Sequence, residues 1–303
     1  ARTIIGAVGD VSKIDTKLID ALPGVEQIIR ILKPYKIVSR ESHEQNTIID
    51  ISGVPLGGST VQVIGGPCSV ETQEQMDLSA KAVADAGCKL MRGGAFKPRT
   101  SPYSFQGVGV EGLSMFRNAA SKYNLPIVTE LMDVRMLDAF LENDVDVIQI
   151  GTRNMQNFDL IKKAAQLGRP ILLKRGMSAT VEEFLLAAEY CLNEGNDQVV
   201  LCERGIRTFE QSTRNILDLN SLALIKETSH LPIIADPSHA AGRYDLVTPL
   251  AIGALATGAD GIIVEVHNKP DEALSDGKQS LTPESFADMM KQLKDMHILN
   301  GKA

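Results

Sequence analysis

The sequence predicts an α/β protein, a (β/α)8 TIM barrel that follows a short β-α-β segment. From residue 61 to residue 303 the chain alternates eight short β-branched runs with longer stretches of helical periodicity. The runs are apolar almost throughout, which is typical of parallel strands buried on both faces. Their span is close to the ~250 residues of a typical barrel. A doubly wound open sheet is the alternative, because alternation alone does not prove closure.

The helices between the runs are bounded by residues that favour helix ends and strand starts. Gly87 and Gly195 follow predicted helices, and Pro126 and Pro170 open predicted strands. The predicted strands are VQVIGG (61–66), KLMRGG (89–94), PIVTEL (126–131), DVIQIG (146–151), PILLKRG (170–176), QVVLCERG (198–205), LPIIAD (231–236) and GIIVEVH (261–267).

The first sixty residues form two further regions. Residues 1–40 predict a β-α-β unit, with strands at 2–10 and 25–32 around a helix at 17–24. One such unit cannot bury its apolar face alone, so we expect it to pack on the barrel or on another subunit. Residues 41–60 predict a polar linker with a weak hairpin, TIIDISGVPLGG, that leads into the barrel at residue 61.

Composition excludes several classes of protein. The 303 residues carry 31 Lys and Arg against 38 Asp and Glu, a net charge of −7, and no basic run compensates. Nucleic acid is therefore not expected as a partner. No apolar stretch approaches the length of a membrane span, and the first residues lack a secretory pattern. Four widely spaced cysteines predict reduced thiols, so we expect a cytoplasmic protein.

Positive side chains gather where the predicted strands end. The C-terminal ends of barrel strands carry the functional groups in this fold, so these cations are expected to converge on one mouth. Their mutual repulsion would be relieved by bound phosphate and carboxylate groups, for which arginine has a suitable planar fork. The sequence therefore predicts one or two small polyanions as ligands. The cations are Arg92, Lys97, Arg99, Arg153, Lys174 and Arg204.

A divalent metal is the second expected ligand of this mouth. Cys68, His239, Glu265 and Asp276 follow the first, seventh and eighth predicted strands, which are neighbours in a closed barrel. Each of these residues alone is more often structural, and their sequence spacing would not nominate them. One thiolate, one imidazole and two carboxylates suit Mn, Fe, Co or Zn. A mixed set fits a catalytic site better than a closed structural site.

Several long motifs carry a family resemblance. The chain resembles the beta-type branch of class I 3-deoxy-7-phosphoheptulonate (DAHP) synthases over residues 60–303, and KPRTS is the most specific element. The matching motifs, in chain order, are GPCSVE (66–71), RGGAFKPRTSPYSFQG (92–107), IGTRN (150–154), LLKRG (172–176), LCERGIRTF (201–209), DPSHAAGR (236–243) and ALSDGKQSL (273–281).

The resemblance implies a reaction and assigns roles to residues. It implies condensation of phosphoenolpyruvate with erythrose 4-phosphate, the first step of the shikimate pathway, in a homodimer or homotetramer. It makes Cys68, His239, Glu265 and Asp276 metal ligands, and it makes Lys97, Cys68 and His239 catalytic. Glu130 and His267 are further candidates for proton transfer. The implied substrate contacts are Arg92, Lys97, Arg153, Lys174 and Arg204 for phosphoenolpyruvate, Arg99, Thr100 and Ser101 for the aldose phosphate, and Glu203 as a site acid.

The N-terminus departs from the family pattern. Relatives often carry a complete ferredoxin-like β-α-β-β-α-β domain there, and residues 2–32 resemble only its second half. Since half a domain lacks part of any effector interface, we expect weak or absent inhibition by phenylalanine or tyrosine. Two rival interpretations stay open: 3-deoxyoctulosonate 8-phosphate synthase, which uses arabinose 5-phosphate, and an inactive barrel that senses sugar phosphates. The segment Arg99–Ser101 argues against the first, and the intact metal set argues against the second.

Overall fold

The predicted barrel is closed. The computed structural model describes residues 5–6, 14–28 and 33–296, and within them eight parallel strands form a closed barrel in chain order. The last strand pairs with the first in register from Gly261–Gln62 to Glu265–Gly66, which excludes the open doubly wound sheet. Among the described residues no helix is both long and apolar enough to cross a membrane.

Helices alternate with the strands around the barrel. The strands are β1 (Ile48–Ile51), β2 (Val54–Gly57), β3 (Gln62–Gly66), β4 (Leu90–Arg92), β5 (Ile127–Leu131), β6 (Val147–Ile150), β7 (Ile171–Lys174), β8 (Val199–Glu203), β9 (Ile233–Ala235) and β10 (Gly261–Glu265). The α-helices are α1 (Thr16–Asp20), α2 (Gln73–Asp85), α3 (Val110–Ser121), α4 (Leu137–Glu142), α5 (Phe158–Ala165), α6 (Val181–Asn193), α7 (Leu219–Thr228), α8 (Pro237–Ala241), α9 (Val247–Ala256) and α10 (Pro283–Asp295).

Side-chain caps determine where several helices begin. The hydroxyl of Thr72 accepts a hydrogen bond from the backbone of Gln75 at the start of α2. Thr180 and Glu183 form a reciprocal capping box at the start of α6. Such caps satisfy backbone N–H groups that the first turn leaves free, so these short polar signals place the helices after their strands.

The hairpin β1–β2 closes the N-terminal end of the barrel. Its two turn residues, Ser52 and Gly53, both have positive φ (49° and 87°), as a tight type I′ turn requires. The buried side chains of Ile49, Ile51 and Leu56 join one apolar cluster with the inward-facing residues of the barrel strands. The weak hairpin predicted within residues 47–58 is therefore present, and it seals the end of the barrel at which the strands begin.

We expect Leu56→Ala to destabilise the protein by about 3 kcal/mol, because it leaves a cavity in this seal. Leu56 is fully buried, whereas Ile48 on the same hairpin is 60% exposed. Ile48→Ala is the matched control and should cost about 0.5 kcal/mol or less. Urea unfolding of both variants measures the difference. Equal losses would show that the hairpin does not seal the barrel.

The segment before the hairpin is held against the barrel. The carboxylate of Glu189 on α6 accepts hydrogen bonds from the backbone N–H groups of Lys36, Ile37 and Val38, at 2.8, 2.7 and 3.0 Å. His230, just before β9, contacts the carbonyl oxygen of Ile37 at 2.9 Å. These contacts fix the chain from residue 36 onward, so it is an ordered connection to the hairpin.

The predicted N-terminal unit is described only in part. A short helix, α1 (Thr16–Asp20), begins one residue before the helical stretch predicted at 17–24 and covers only its first four residues. The predicted strand at 2–10 lies outside the described residues except for 5–6. Of the predicted strand at 25–32, residues 25–28 have no regular structure and the remainder lies outside the described residues.

Candidate active site

The side chains inside the barrel form an apolar layer beneath a polar layer. Strand residues two apart face the same side, so Leu172 and Lys174 both point inward, as do Ile263 and Glu265. The lower residues join the cluster with the hairpin. Two positions further along each strand the barrel mouth begins. The polar residues there are Arg92, Glu130, Gln149, Lys174, Asp236 and Glu265.

Four potential metal ligands meet at this mouth. One donor atom from each of Cys68, His239, Glu265 and Asp276 lies within 4.8 Å of the others. Cys68 Sγ is 3.2 Å from Asp276 Oδ2, and His239 Nε2 is 3.3 Å from Glu265 Oε1. The residues come from the loop after β3, from α8, from the end of β10 and from the loop after β10. The structure therefore brings together the four residues that the sequence analysis selected.

Neighbouring side chains orient these ligands. His239 Nδ1 lies 2.7 Å from Asp236 Oδ2, which leaves Nε2 to face the cluster. Asp236 also accepts a hydrogen bond from Lys174. Glu265 accepts from Arg92 Nη1 at 2.7 Å. Histidine ligands of metal ions usually have such a carboxylate partner. The cluster therefore resembles a metal site in the residues around its ligands as well as in the ligands themselves.

Burial and charge determine the protonation states in the cluster. Burial raises the pKa of Cys68 to about 12, and the nearby carboxylate of Glu265 adds to that rise. Burial lowers the pKa of His239, so its imidazole is neutral at pH 7. Burial opposes ionisation of Asp276, but His239 and Arg214 outweigh it and lower its pKa to about 2. These shifts place a protonated thiol beside an ionised carboxylate at neutral pH.

Lys97 contacts the cluster directly. Its Nζ lies 3.1 Å from Cys68 Sγ and 3.0 Å from the carbonyl oxygen of Cys68. A Cβ at Gly94 would approach Lys97 Nζ to 3.1 Å and the same carbonyl to 3.0 Å. Glycine at this position therefore leaves room for the ammonium group, which lies between the cluster and the adjoining pocket.

A pocket of about 320 Å³ adjoins the cluster, and cations dominate its wall. All six cations selected from the sequence line it, together with Thr100 and Ser101. Arg92 and Lys174 are each only 4% exposed, so their charges are largely withdrawn from water. The remaining lining residues are Pro98, Ser104, Glu130, Gln149, Gly151, Thr152, Met177, Arg214, His239 and Asp276.

Two arginines at this wall have hydrogen-bond donors that no described residue uses. Arg92 Nε and Arg99 Nη2 are buried and lack an acceptor within the described part of the chain. Arg99 is oriented by its Nε, which donates to the carbonyl oxygen of Phe105 at 2.9 Å. Unpaired buried donors on charged groups are costly, so the wall is suited to an anionic ligand that accepts from them.

Glu203 does not lie where the sequence analysis expected. It is fully buried and does not line the pocket. Its Oε2 accepts from Arg175 Nη1 at 2.8 Å, and its Oε1 accepts from the backbone of Gly205 at 2.7 Å. Because both oxygens accept hydrogen bonds within the wall, Glu203 supports the turn after Arg204 and does not face the pocket. The sequence did not reveal this ion pair, because Glu203 and Arg175 both stand at strand ends and were each expected to face the mouth.

Two polar residues at the mouth were missed from the sequence. Arg214 lies in the loop after β8 and contacts Asp276 Oδ1 at 3.3 Å. Gln279 donates to Glu265 Oε2 at 2.7 Å. Gln279 belongs to the motif ALSDGKQSL, which also contains Asp276, so the motif could have indicated that Gln279 lies near the cluster. Arg214 lies ten residues after Arg204, within the loop after β8. No signal in the sequence indicated it, because its position at the mouth depends on how this loop folds.

The two weaker candidates for proton transfer are placed differently. Glu130 lines the pocket and contacts Gln149 Nε2 at 3.4 Å. Gly151 leaves space for it, since a Cβ there would lie 1.8 Å from Glu130 Oε1. His267 does not line the pocket, and its Nε2 is 3.5 Å from Glu71 Oε2. The structure therefore keeps only Glu130 within reach of a bound substrate.

The closed barrel and the groups at its mouth define an α/β-barrel enzyme for small anionic substrates. The model of the DAHP synthetase I family matches residues 42–299, and that of the DAHP synthase ferredoxin-like domain matches residues 1–33. The chain belongs to the DAHP synthetase I family. The resemblance drawn from the motifs is thereby confirmed, and so is the ferredoxin-like relationship of the N-terminal segment.

Individual relatives agree with this assignment. The chain is 51% identical, over 97% of its length and 87% of the relative's, to the phospho-2-dehydro-3-deoxyheptonate aldolase of Thermotoga maritima. A crystal structure of the T. maritima DAHP synthase superposes with a TM-score of 0.86 and 50% identity, covering 95% of this chain and 84% of that one. A 2-dehydro-3-deoxyphosphooctonate aldolase of Syntrophobacter fumaroxidans is 28% identical, over 82% and 91% of the two chains. The heptulosonate branch is therefore favoured over the octulosonate branch.

Proposed function

We propose that this protein condenses phosphoenolpyruvate with erythrose 4-phosphate and water to give DAHP and inorganic phosphate, and that it requires a divalent metal ion. One observation carries the proposal: a wall of six cations, four of them buried, adjoins a four-donor cluster at the same barrel mouth. Two phosphates and a carboxylate would neutralise the cations, and an aldehyde oxygen would lie beside the cluster.

The donor set fits a divalent ion. A thiolate, a neutral imidazole and two carboxylates suit Mn, Fe, Co or Zn, and their donor atoms already lie within 4.8 Å of one another. Bound there, the ion would supply Lewis-acid polarisation of the aldehyde carbonyl. Burial raises the pKa of Cys68 to about 12, so the thiol holds its proton at neutral pH, and an ion bound there would have to displace that proton.

Phosphoenolpyruvate would occupy the inner part of the cationic wall. Arg92, Lys174 and Arg204 are each 4% exposed, and planar guanidinium groups bind carboxylate and phosphate in a bidentate manner. Arg153, which follows β6 at the barrel mouth, is the fourth cation proposed to bind phosphoenolpyruvate. Holding the enol in one orientation converts the bond-forming step into an effectively intramolecular one.

The phosphate of erythrose 4-phosphate would bind to Arg99, Thr100 and Ser101, which line the pocket after β4. We expect Arg99→Ala to raise the KM for erythrose 4-phosphate by about 10²-fold, because a charge-assisted contact of roughly 3 kcal/mol is lost. The KM for phosphoenolpyruvate should change far less. Steady-state kinetics with each substrate varied in turn measure both values. Equal effects on the two substrates would remove the assignment.

The residues of the chain then account for the proton and the leaving group. The enol C3 of phosphoenolpyruvate forms a bond to the aldehyde carbon, and the aldehyde oxygen takes a proton from Lys97 to become a hydroxyl. Water adds to C2, and the proton that it loses restores the charge of Lys97. The C2 hydroxyl of the resulting hemiketal phosphate then passes its proton to the departing phosphate as the C2–O bond to phosphate breaks, which leaves the C2 carbonyl and a phosphate held by the arginines. Buried cations stabilise the charge that develops on both oxygens.

The proposal also includes a cytoplasmic homodimer or homotetramer. The association of subunits is supported by the exposed apolar side chains of α1, in which no residue is buried and Leu18 is 69% exposed. A helix with such a surface gains stability when another subunit covers it.

Phosphate release with two aldose phosphates tests the proposed reaction. The expected result is rapid release with phosphoenolpyruvate plus erythrose 4-phosphate, and little with arabinose 5-phosphate. Faster release with arabinose 5-phosphate would assign the chain to the octulosonate reaction. No release with either would support the sugar-phosphate sensor instead.

A further inference from the structure

We infer that Arg214 and Gln279 form a brace that positions the candidate metal ligands, and this inference rests on the metal centre proposed above. Arg214 Nη1 lies 3.3 Å from Asp276 Oδ1 and 3.0 Å from Gln279 Oε1. Gln279 Nε2 donates in turn to Glu265 Oε2 at 2.7 Å. One guanidinium thus connects both carboxylates of the cluster.

The brace decides which oxygen of each carboxylate faces the cluster. It occupies Asp276 Oδ1 and Glu265 Oε2. The other oxygens point inward: Asp276 Oδ2 is 3.2 Å from Cys68 Sγ. Glu265 Oε1 is 3.3 Å from His239 Nε2, and it also accepts from Arg92 Nη1 at 2.7 Å, so Arg92 orients this carboxylate together with the brace. A carboxylate tied through one oxygen presents the second in a fixed direction, which is how outer partners tune metal affinity.

The backbone around Arg214 connects the brace to the helix that carries the histidine ligand. The N–H groups of Arg214 and Asn215 donate to the carbonyl oxygens of Ala241 and Ala240, at 3.0 and 2.8 Å. The side chain of Asn215 donates to the carbonyl oxygen of His239 at 3.1 Å. The loop after β8 is therefore fixed to α8, so three of the four candidate ligands depend on one segment.

Gly242 permits this close approach. It ends α8 with a left-handed φ of 69°, and a Cβ there would lie 2.6 Å from the Cβ of Arg214. Asp276 itself has a left-handed backbone, with φ 50° and ψ 31°. Aspartate is one of the few non-glycine residues that adopt this conformation readily, and the contact with Arg214 holds the side chain of Asp276 in place there.

Metal affinity measured without substrates tests the brace. Co²⁺ is titrated into the chelator-treated protein in competition with a chromophoric chelator, and the cobalt absorption spectrum is recorded. Arg214→Ala and Gln279→Met should each raise the Kd for Co²⁺ by about 10-fold or more and alter the spectrum. The double variant should lose less Co²⁺ affinity than the sum of the two single losses, because both residues act through one chain of contacts. Arg214→Lys should recover part of the loss.

The matched control is Arg207→Ala, since Arg207 lies exposed in the same loop and does not line the pocket. It should bind Co²⁺ as the unaltered protein does. If Arg214→Ala kept the original Kd and spectrum, the brace would be rejected while the metal centre stood. If the unaltered protein bound no Co²⁺, the proposed metal centre itself would fail. If Gln279→Met does not fold, Arg214→Ala alone tests the brace, because Arg214 is partly exposed and its replacement is expected to leave the fold intact.

Discussion

Lys97→Ala is expected to lower kcat by about 10³-fold, within the range that a positioned proton donor contributes. The ammonium group lies 3.1 Å from Cys68 Sγ and lines the substrate pocket. It is therefore the cation placed to protonate the oxygen of an aldehyde beside the cluster. Binding of phosphoenolpyruvate should weaken much less, because three arginines and a lysine of the pocket wall are also proposed to bind it. Stopped-assay kinetics combined with equilibrium binding of phosphoenolpyruvate separate the two effects.

The control for Lys97 is Lys89→Ala. Lys89 precedes β4 on the side of the barrel opposite the mouth and is exposed, whereas Lys97 is 7% exposed. The control should keep its kcat. Near-normal turnover by Lys97→Ala would remove this lysine from the mechanism, and a loss confined to KM would make it a binding residue only.

Chelation is expected to reduce phosphate release by about 10³-fold or more, since a Lewis acid contributes several kcal/mol to the barrier. Adding back Mn²⁺ or Co²⁺ should restore the rate. Cys68→Ala should remain inactive after metal is added, because it lacks the only thiol of the donor set. Metal content measured before and after treatment accompanies each assay.

The control for Cys68 is Cys191→Ala. Cys191 is also a buried free cysteine, but it lies on α6 outside the barrel mouth. Its variant should lose activity on chelation and regain it on metal addition, as the unaltered protein does. Full activity of a chelated sample that is verified to be free of metal would contradict the requirement for an ion.

The barrel and most of its mouth were predictable from the sequence because they depend on local rules. Apolar runs such as PILLKRG indicate buried parallel strands, and a charged residue at the end of such a run must lie at the mouth. Lys174 and Glu265 were found in this way. The metal cluster needed one further step, since Cys68 and His239 become neighbours only when the barrel closes.

The remaining features depend on contacts between distant segments. Glu203 had the same strand-end signal as Lys174, yet its ion pair with Arg175 turns it into the wall. Arg214 reaches the cluster because its loop pairs with α8, and no local pattern encodes that pairing. The anchoring of residues 36–38 by Glu189 spans more than 150 positions of sequence. Such side-chain pairings follow from the fold, so a single sequence does not predict them.

The central claim is that one ion, held by Cys68, His239, Glu265 and Asp276, lies beside the cationic pocket. Anomalous scattering from a crystal grown with Mn²⁺ and phosphoenolpyruvate tests this most directly. We expect one strong peak bonded to all four side chains, with the phosphate of phosphoenolpyruvate against Lys174 and Arg204. A peak elsewhere, or phosphoenolpyruvate bound outside the pocket while the four side chains hold no ion, would contradict it.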